Sequence, residues 1–311
     1  MQVVYVALDD RLSLYSFPNH PFNNSRYFSF KQALEGRKIL SLLGKINSRQ
    51  AEIEELLLFH TPEYIDFVKR EEAEGGYLDF GDTPAFKGVF KGSRIVVGTT
   101  LNSIDKAIEE NTRVFNPVGG LHHAYRDKAG GFCVFNDIGV GINYLRKKYK
   151  IKNILYFDID AHHGDGVFYS FLEDPNLYIV DFHQRGIFPG TGEKRERGEG
   201  RALGTKLNIE LKSGAEDRDF FRELKEVREF LDTKKIDFIL MQAGCDCLAQ
   251  DPLTFLNLTE EVHREVTKLL LEIAEKFTKG RMVILGGGGY LLENIKKAWP
   301  AVIEELLLRG A

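Results

Sequence analysis

The feature that most constrains this chain is a recurring pair: a short apolar run rich in β-branched residues, broken off by a cluster of Gly, His and Asp. Such runs are Val3 to Leu8, Val114 to Asn116, Asn153 to Asp160, Leu177 to Phe182, Phe238 to Gln242 and Met282 to Leu285. Short runs without polar alternation read as strands buried on both faces. Between them lie helical patterns at Ser93 to Glu110, Asp137 to Lys148, Arg218 to Leu231 and Thr259 to Phe277, the last opened by a Thr-Glu-Glu cap signal. Strands alternating with helices predict an α/β fold with a mostly parallel sheet covered on both faces. No repeat, low-complexity tract or Pro/Ser-rich linker divides the 311 residues, so a single domain over 1–311 is expected.

Composition narrows the class. The net charge is −4, with no long basic block, so a nucleic-acid surface is not expected. No apolar stretch is long enough for a membrane span, and the N-terminus lacks the pattern of a signal peptide. The three cysteines, Cys133, Cys245 and Cys247, are odd in number and form no C-x-x-C pair, which argues against a disulfide framework or a thiolate metal cluster. A soluble protein in the reducing cytoplasm is the expectation.

In an open parallel sheet, ligands gather beyond the carboxyl ends of the strands, and the unusual residues lie there. Asp160-Ala-His162 is a strand-end D-x-H whose two side chains project to one side, and Asp246 ends another strand. One imidazole and two carboxylates leave a coordination position open, as a catalytic metal requires. His122-His123 follows two glycines that permit a tight turn, so both rings can face one cavity and exchange a proton near neutral pH. Asp158 and Asp165 are candidate partners for the outer nitrogens of these rings. Gly286 to Gly289 ahead of Tyr290 lacks the Lys-Ser/Thr of a phosphate loop and reads as a mobile loop carrying a phenol able to stabilise a developing oxyanion. His163 is expected to pack behind the metal ligand, and His20, His60, His183 and His263 are expected to be structural.

Together Gly119-Gly-Leu-His-His-Ala124, Gly131-Phe-Cys-Val-Phe-Asn-Asp137, Asp158-Ile-Asp-Ala-His-His-Gly-Asp-Gly166, Phe188-Pro-Gly-Thr-Gly192, Gly244-Cys-Asp246 and Gly286-Gly-Gly-Gly-Tyr290 resemble the zinc-dependent histone deacetylase family. The likeness reaches class I enzymes and prokaryotic relatives, acetoin-utilisation proteins among them. It implies an arginase-deacetylase fold, a three-layer αβα domain with about eight strands. It implies that Asp160, His162 and Asp246 bind Zn2+, with Fe2+ or Co2+ also accepted by this donor set. His122 and His123 are then the tandem catalytic histidines, Asp158 and Asp165 their buried partners, and Tyr290 the residue that polarises the acyl carbonyl. Gly131, Phe132 and Phe188 match the acyl-lysine tunnel, Asp82 the rim carboxylate that holds substrate backbone, and Arg26 an arginine near an acetate channel. The family also binds K+ beside the metal, near Asp158; Asp181 stands here in place of a small hydroxyl residue.

The implied reaction is hydrolysis of an acetyl group from the lysine side chain of proteins or peptides. An acetylpolyamine or another acetylated small amine is the alternative, since the catalytic motifs do not discriminate between them. Two-metal ureohydrolases share the fold, but Gly164 and Leu248 stand where their additional carboxylates would lie. A non-catalytic acyl-lysine-binding module is disfavoured, because no catalytic position is missing.

Overall fold

A computed structural model describes residues 3–309; residues 1, 2, 310 and 311 of the expected domain lie outside it. Its strands are β1 (Val4–Ala7), β2 (Gly44–Ile46), β3 (Gly76–Tyr77), β4 (Pro84–Ala85), β5 (Arg113–Asn116), β6 (Ile154–Asp158), β7 (Leu177–Gln184), β8 (Lys206–Leu211), β9 (Phe238–Gln242) and β10 (Met282–Leu285). Helices are α1 (Ser25–Gly36), α2 (Ile53–Leu56), α3 (Pro62–Glu74), α4 (Val89–Glu109), α5 (Asp137–Tyr149), α6 (Asp165–Ser170), α7 (Asp217–Asp232), α8 (Glu260–Ile273) and α9 (Leu292–Leu308). The six expected strands are all present, with bounds within two residues. The expected helix from Thr259 runs as α8 and then widens into a π-helical turn over Ala274–Thr278.

Eight strands form one parallel sheet in the order β2-β1-β5-β10-β9-β6-β7-β8, while β3 and β4 make a small antiparallel ribbon. Side-chain alternation divides two cores across that sheet. Val114, Tyr156, Leu240 and Val283 enter the layer built with α3, α4 and α5. Phe115, Leu155, Ile239 and Ile284 enter the opposite layer, with α7, α8 and α9. Strands β6, β9 and β10 are buried along their whole length, which is why they carry no polar alternation.

Helix starts follow local chemistry: the side chains of Thr61, Asn136 and Thr259 accept backbone N–H groups at the first turns of α3, α5 and α8. The decisive point is positional. Strands β5, β10, β9 and β6 are consecutive neighbours at the centre of the sheet, so four strand ends far apart in sequence open onto one rim. Among the described residues, no helix is long and apolar enough to cross a membrane.

Candidate active site

After β5 the chain turns sharply through Gly119 and Gly120 to present His122 and His123. The Asp137 carboxylate, in the first turn of α5, accepts the N–H groups of Gly120 and Leu121 and the Thr100 hydroxyl, and so holds the turn. Gly120 has φ +98°, and a Cβ there would lie 2.8 Å from the Gly287 nitrogen, so only glycine fits. The two imidazoles meet at 3.0 Å between their Nε2 atoms. Their outer Nδ1 atoms lie 2.8 Å from Asp158 and 2.7 Å from Asp165, the pairings expected from the sequence.

The electrostatics of the two rings differ. Burial opposes charge on both, but Asp158 and Asp160 outweigh it at His122 and raise that ring to about 9. At His123 burial is reinforced by the charge on His122, and the ring falls to about 4. Each carboxylate is itself anchored: Asp158 also accepts the Tyr156 hydroxyl, and Asp165 the Tyr125 hydroxyl at 3.0 Å.

The loop after β6 carries Asp160 and His162, and the loop after β9 carries Asp246. One ligand-type atom from each lies within 4.8 Å of the others, and all three residues are buried. His162 Nδ1 faces both carboxylates, at 3.1 Å from Asp160 and 3.0 Å from Asp246. Burial and the adjacent Asp160 charge push Asp246 up to about 7, while the two carboxylates overcome burial at His162 and raise that ring to about 10. A buried donor set of this composition and spacing fits a divalent metal with an open position. Further bonds fix the carboxylates: Asp160 Oδ2 accepts from Gln242 Nε2 at 2.6 Å and from Gly288 N at 2.8 Å, and Asp246 Oδ1 accepts from Ala161 N at 2.8 Å.

The glycine run departs from expectation. Gly286 to Gly289 is not a free loop but is wedged among the site residues. A Cβ would fall 2.2 Å from the Pro117 oxygen at Gly286, 2.2 Å from Gln242 at Gly287, 2.3 Å from Asp246 at Gly288 and 2.2 Å from Cys245 at Gly289. Arg26, itself buried, donates to the carbonyls of Gly287 and Gly289 from beneath and lies over the Phe22 ring. Glycine is needed here for close approach, and the following Tyr290 is anchored through its N–H to Asp251 at 2.8 Å.

A cavity of about 210 Å³ is lined by Asp82, His123, Gly131, Phe132, His162, Phe188, Leu253 and Tyr290. Phe188 stands edge-on to His123 with ring centroids 4.9 Å apart, and Phe132 edge-on to Tyr290 at 5.6 Å. His122, Asp158 and Asp165 lie behind this lining and Arg26 beneath it. His163 contacts Thr191, Phe168 and His183 instead, as a packing residue. Asp181 bonds His183 Nδ1 at 2.8 Å and Gly164 N at 3.0 Å, so both its oxygens are engaged next to Asp158. Sequence reasoning assigned no role to Gln242, Asp137, Asp251 or Leu253. Asp137 stood at the end of a quoted motif and Gln242 at the end of an expected strand, whereas Asp251 and Leu253 follow Asp246 in a loop with no periodic signal.

A family model described as "Histone deacetylase domain" matches residues 20–306. The acetoin utilization protein AcuC of Bacillus subtilis (strain 168) is 35% identical over 303 residues, covering 92% of this chain and 77% of that protein. AcuC of Staphylococcus aureus (strain MSSA476) is 33% identical over 98% of this chain and 82% of its own length. Among solved structures, the HDA15 HD domain superposes with a TM-score of 0.91 at 25% identity, covering 98% of this chain and 88% of that one. The chain belongs to the histone deacetylase family. It is a deacetylase, a hydrolase of amide bonds.

Proposed function

We propose that the chain, as a single deacetylase domain, removes the acetyl group from Nε-acetyl-lysine in proteins or peptides, releasing acetate and the free amine. The observation that carries this reading is the cavity: aromatic walls, one carboxylate at Asp82, and a floor of His123, His162 and Tyr290. A channel between Phe132 and Phe188 suits an uncharged aliphatic stem. Phe188, half exposed, and Leu253 are apolar members of the lining, and Phe255 and Phe80, exposed in the loops that carry Leu253 and Asp82, add apolar surface. A polyamine carries further ammonium groups along its length and would be better served by several carboxylates there.

Asp160, His162 and Asp246 would hold the metal, and Zn2+ suits this nitrogen and oxygen donor set. When bound, the ion supplies Lewis acidity to the acyl oxygen and to a water molecule. The protein's own residues then divide the proton work. His123 lines the cavity with its Nδ1–H committed to Asp165 and its Nε2 turned toward His122, and this Nε2 takes up a proton from the attacking water, in place of the contact with His122, as the new C–O bond forms. That proton passes to the leaving nitrogen as the C–N bond breaks. His122 lies behind it, held by Asp158, and contributes positive field. The Tyr290 hydroxyl donates a hydrogen bond to the oxyanion, Phe132 and Phe188 exclude water from the stem, and Asp82 accepts a backbone N–H of the peptide. Arg26, which donates to the Gly287 and Gly289 carbonyls under the glycine run, would meet the released acetate.

The test is turnover by metal-replete protein of acetyl-lysine peptides and acetylated polyamines side by side, with a hydroxamate chelator as control. Hydroxamate-sensitive hydrolysis of peptides with higher kcat/KM than polyamines is the expected result; the reverse order would make this a small-amine deacetylase.

A further inference from the structure

The wall residue Phe132 sits in a backbone conformation that it does not prefer. Its φ is +68°, directly after Gly131 at +51°, in the left-handed region that bulky side chains rarely occupy. Gly131 has a steric reason, since a Cβ there would fall 2.4 Å from His123 Cδ2. Phe132 has none of its own, so the surroundings must impose the geometry. Two ties from distant segments do so. The Tyr15 hydroxyl donates to the Phe132 carbonyl at 2.6 Å and accepts Val134 N–H at 3.1 Å. On the other side, Phe132 N–H donates to Thr83 Oγ1 at 3.1 Å.

Thr83 belongs to the rim loop that joins β3 to β4, and its side chain is wholly buried. Its hydroxyl proton goes to Asp79 Oδ2. The other Asp79 oxygen accepts the N–H groups of Gly81, Asp82 and Thr83, at 3.0, 2.8 and 2.8 Å. One carboxylate therefore shapes the loop that presents Asp82 and also orients the hydroxyl that pins Phe132. The pinned ring in turn packs edge-on against Tyr290 and against His20, at 5.6 and 4.4 Å between centroids.

We propose that Thr83, oriented by Asp79, is a positioning residue for substrate binding: its hydroxyl locks the rim loop carrying Asp82 to the strained tunnel wall at Phe132, so that stem and backbone of the acyl substrate are gripped in one register. The metal-site carboxylates, the histidine pair and the backbone of Tyr290 are held by separate bonds, Tyr290 through Asp251, so cutting this tie weakens the grip more than it disturbs the chemical step. The inference rests on the acyl-lysine reading of the cavity.

The experiment compares wild type, Thr83→Val, Thr83→Ser and Tyr15→Phe, all metal-replete, by kcat and KM on an acetyl-lysine peptide and on an acetylated small amine, with thermal midpoints alongside. Thr83→Val is expected to raise KM by ~5–10-fold, as fits one buried N–H left without its acceptor. Its kcat should stay within about threefold, the pattern of lost binding common to ground and transition states. Thr83→Ser, which keeps the oxygen, is expected to restore KM. Tyr15→Phe cuts the opposite tie and is expected to raise KM in the same way, which keeps the idea testable if the valine variant folds poorly. Unchanged KM in either folded variant overturns the proposal. So does a fall in kcat at constant KM, or a serine variant that does not restore KM. If wild type hydrolyses only the small amine, the peptide reading fails, while the same comparison on that amine still decides the role of Thr83.

Discussion

Gly288→Ala tests the idea that the glycine run exists to let backbone approach the metal carboxylates. The new Cβ would lie 2.3 Å from Asp246 Oδ2 and 2.6 Å from Asp160 Oδ2. Reaching even 3.0 Å demands a displacement of about 0.7 Å, whereas metal–ligand distances tolerate about ±0.2 Å. Neither carboxylate yields freely: Asp160 is tied to Gln242, and Asp246 to Ala161. If the backbone moves instead, the bond from Gly288 N to Asp160 is lost. Either way the donor set is displaced, and metal affinity should fall by at least ~10–100-fold, the range found when outer partners of ligands are removed. The assay is metal content after dialysis against a graded chelator, with kcat/KM at limiting and at excess metal. Gly36→Ala is the control: nothing lies within 4 Å of its Cβ, and its effect on metal binding should be nil. An alanine variant at 288 that keeps wild-type metal affinity and turnover would refute the argument.

Tyr290→Phe is expected to retain metal and lower kcat by ~10²–10³, the usual loss of one oxyanion donor; kcat within threefold of wild type would remove Tyr290 from that role. Asp181→Ala leaves His183 and the Gly164 N–H without their buried partner and should cost ~3–5 kcal/mol in urea unfolding, as breaking a buried pair does. An unchanged urea midpoint would mean that the pair contributes nothing. His60 is buried neutral, its Nε2 accepting Asn136 N–H at 2.9 Å, and burial pulls it from 6.5 to about 3. Between those values the unfolded chain binds the extra proton, so stability falls as pH drops through that window, by up to ~1.4 kcal/mol per pH unit. His60→Gln should flatten this part of the curve of unfolding free energy against pH, and identical slopes in the two proteins would contradict the assignment.

The central strands and the chemistry at their ends were legible in the sequence because both signals are local. A strand buried on both faces must be continuously apolar, and the D-x-H just past the end of β6 keeps two ligand-type side chains together in sequence, although both lie in the loop beyond the strand and its conformation, not strand alternation, aims them. Edge strands β2 and β8 left no such mark: Gly44–Ile46 is too short, and Lys206, Asn208 and Glu210 interrupt the apolar pattern of β8. Helix α1 is only weakly amphipathic, and α9, though amphipathic, carries Pro300 within it, which reads in a sequence as a helix stop.

The run Gly286 to Gly289 shows the boundary most clearly. Four glycines in sequence are equally consistent with freedom and with crowding. Only the positions of Pro117, Gln242, Asp246 and Cys245 decide for crowding. The lock between Thr83, Phe132 and Tyr15 is of the same kind, made by segments 49 and 117 residues apart. Local chain chemistry determined which residues can bind a metal, move a proton or line a stem. The order of strands in the sheet, which sets β5, β10, β9 and β6 side by side, decided that the loops carrying these residues meet at one rim, because convergence depends on packing between distant segments.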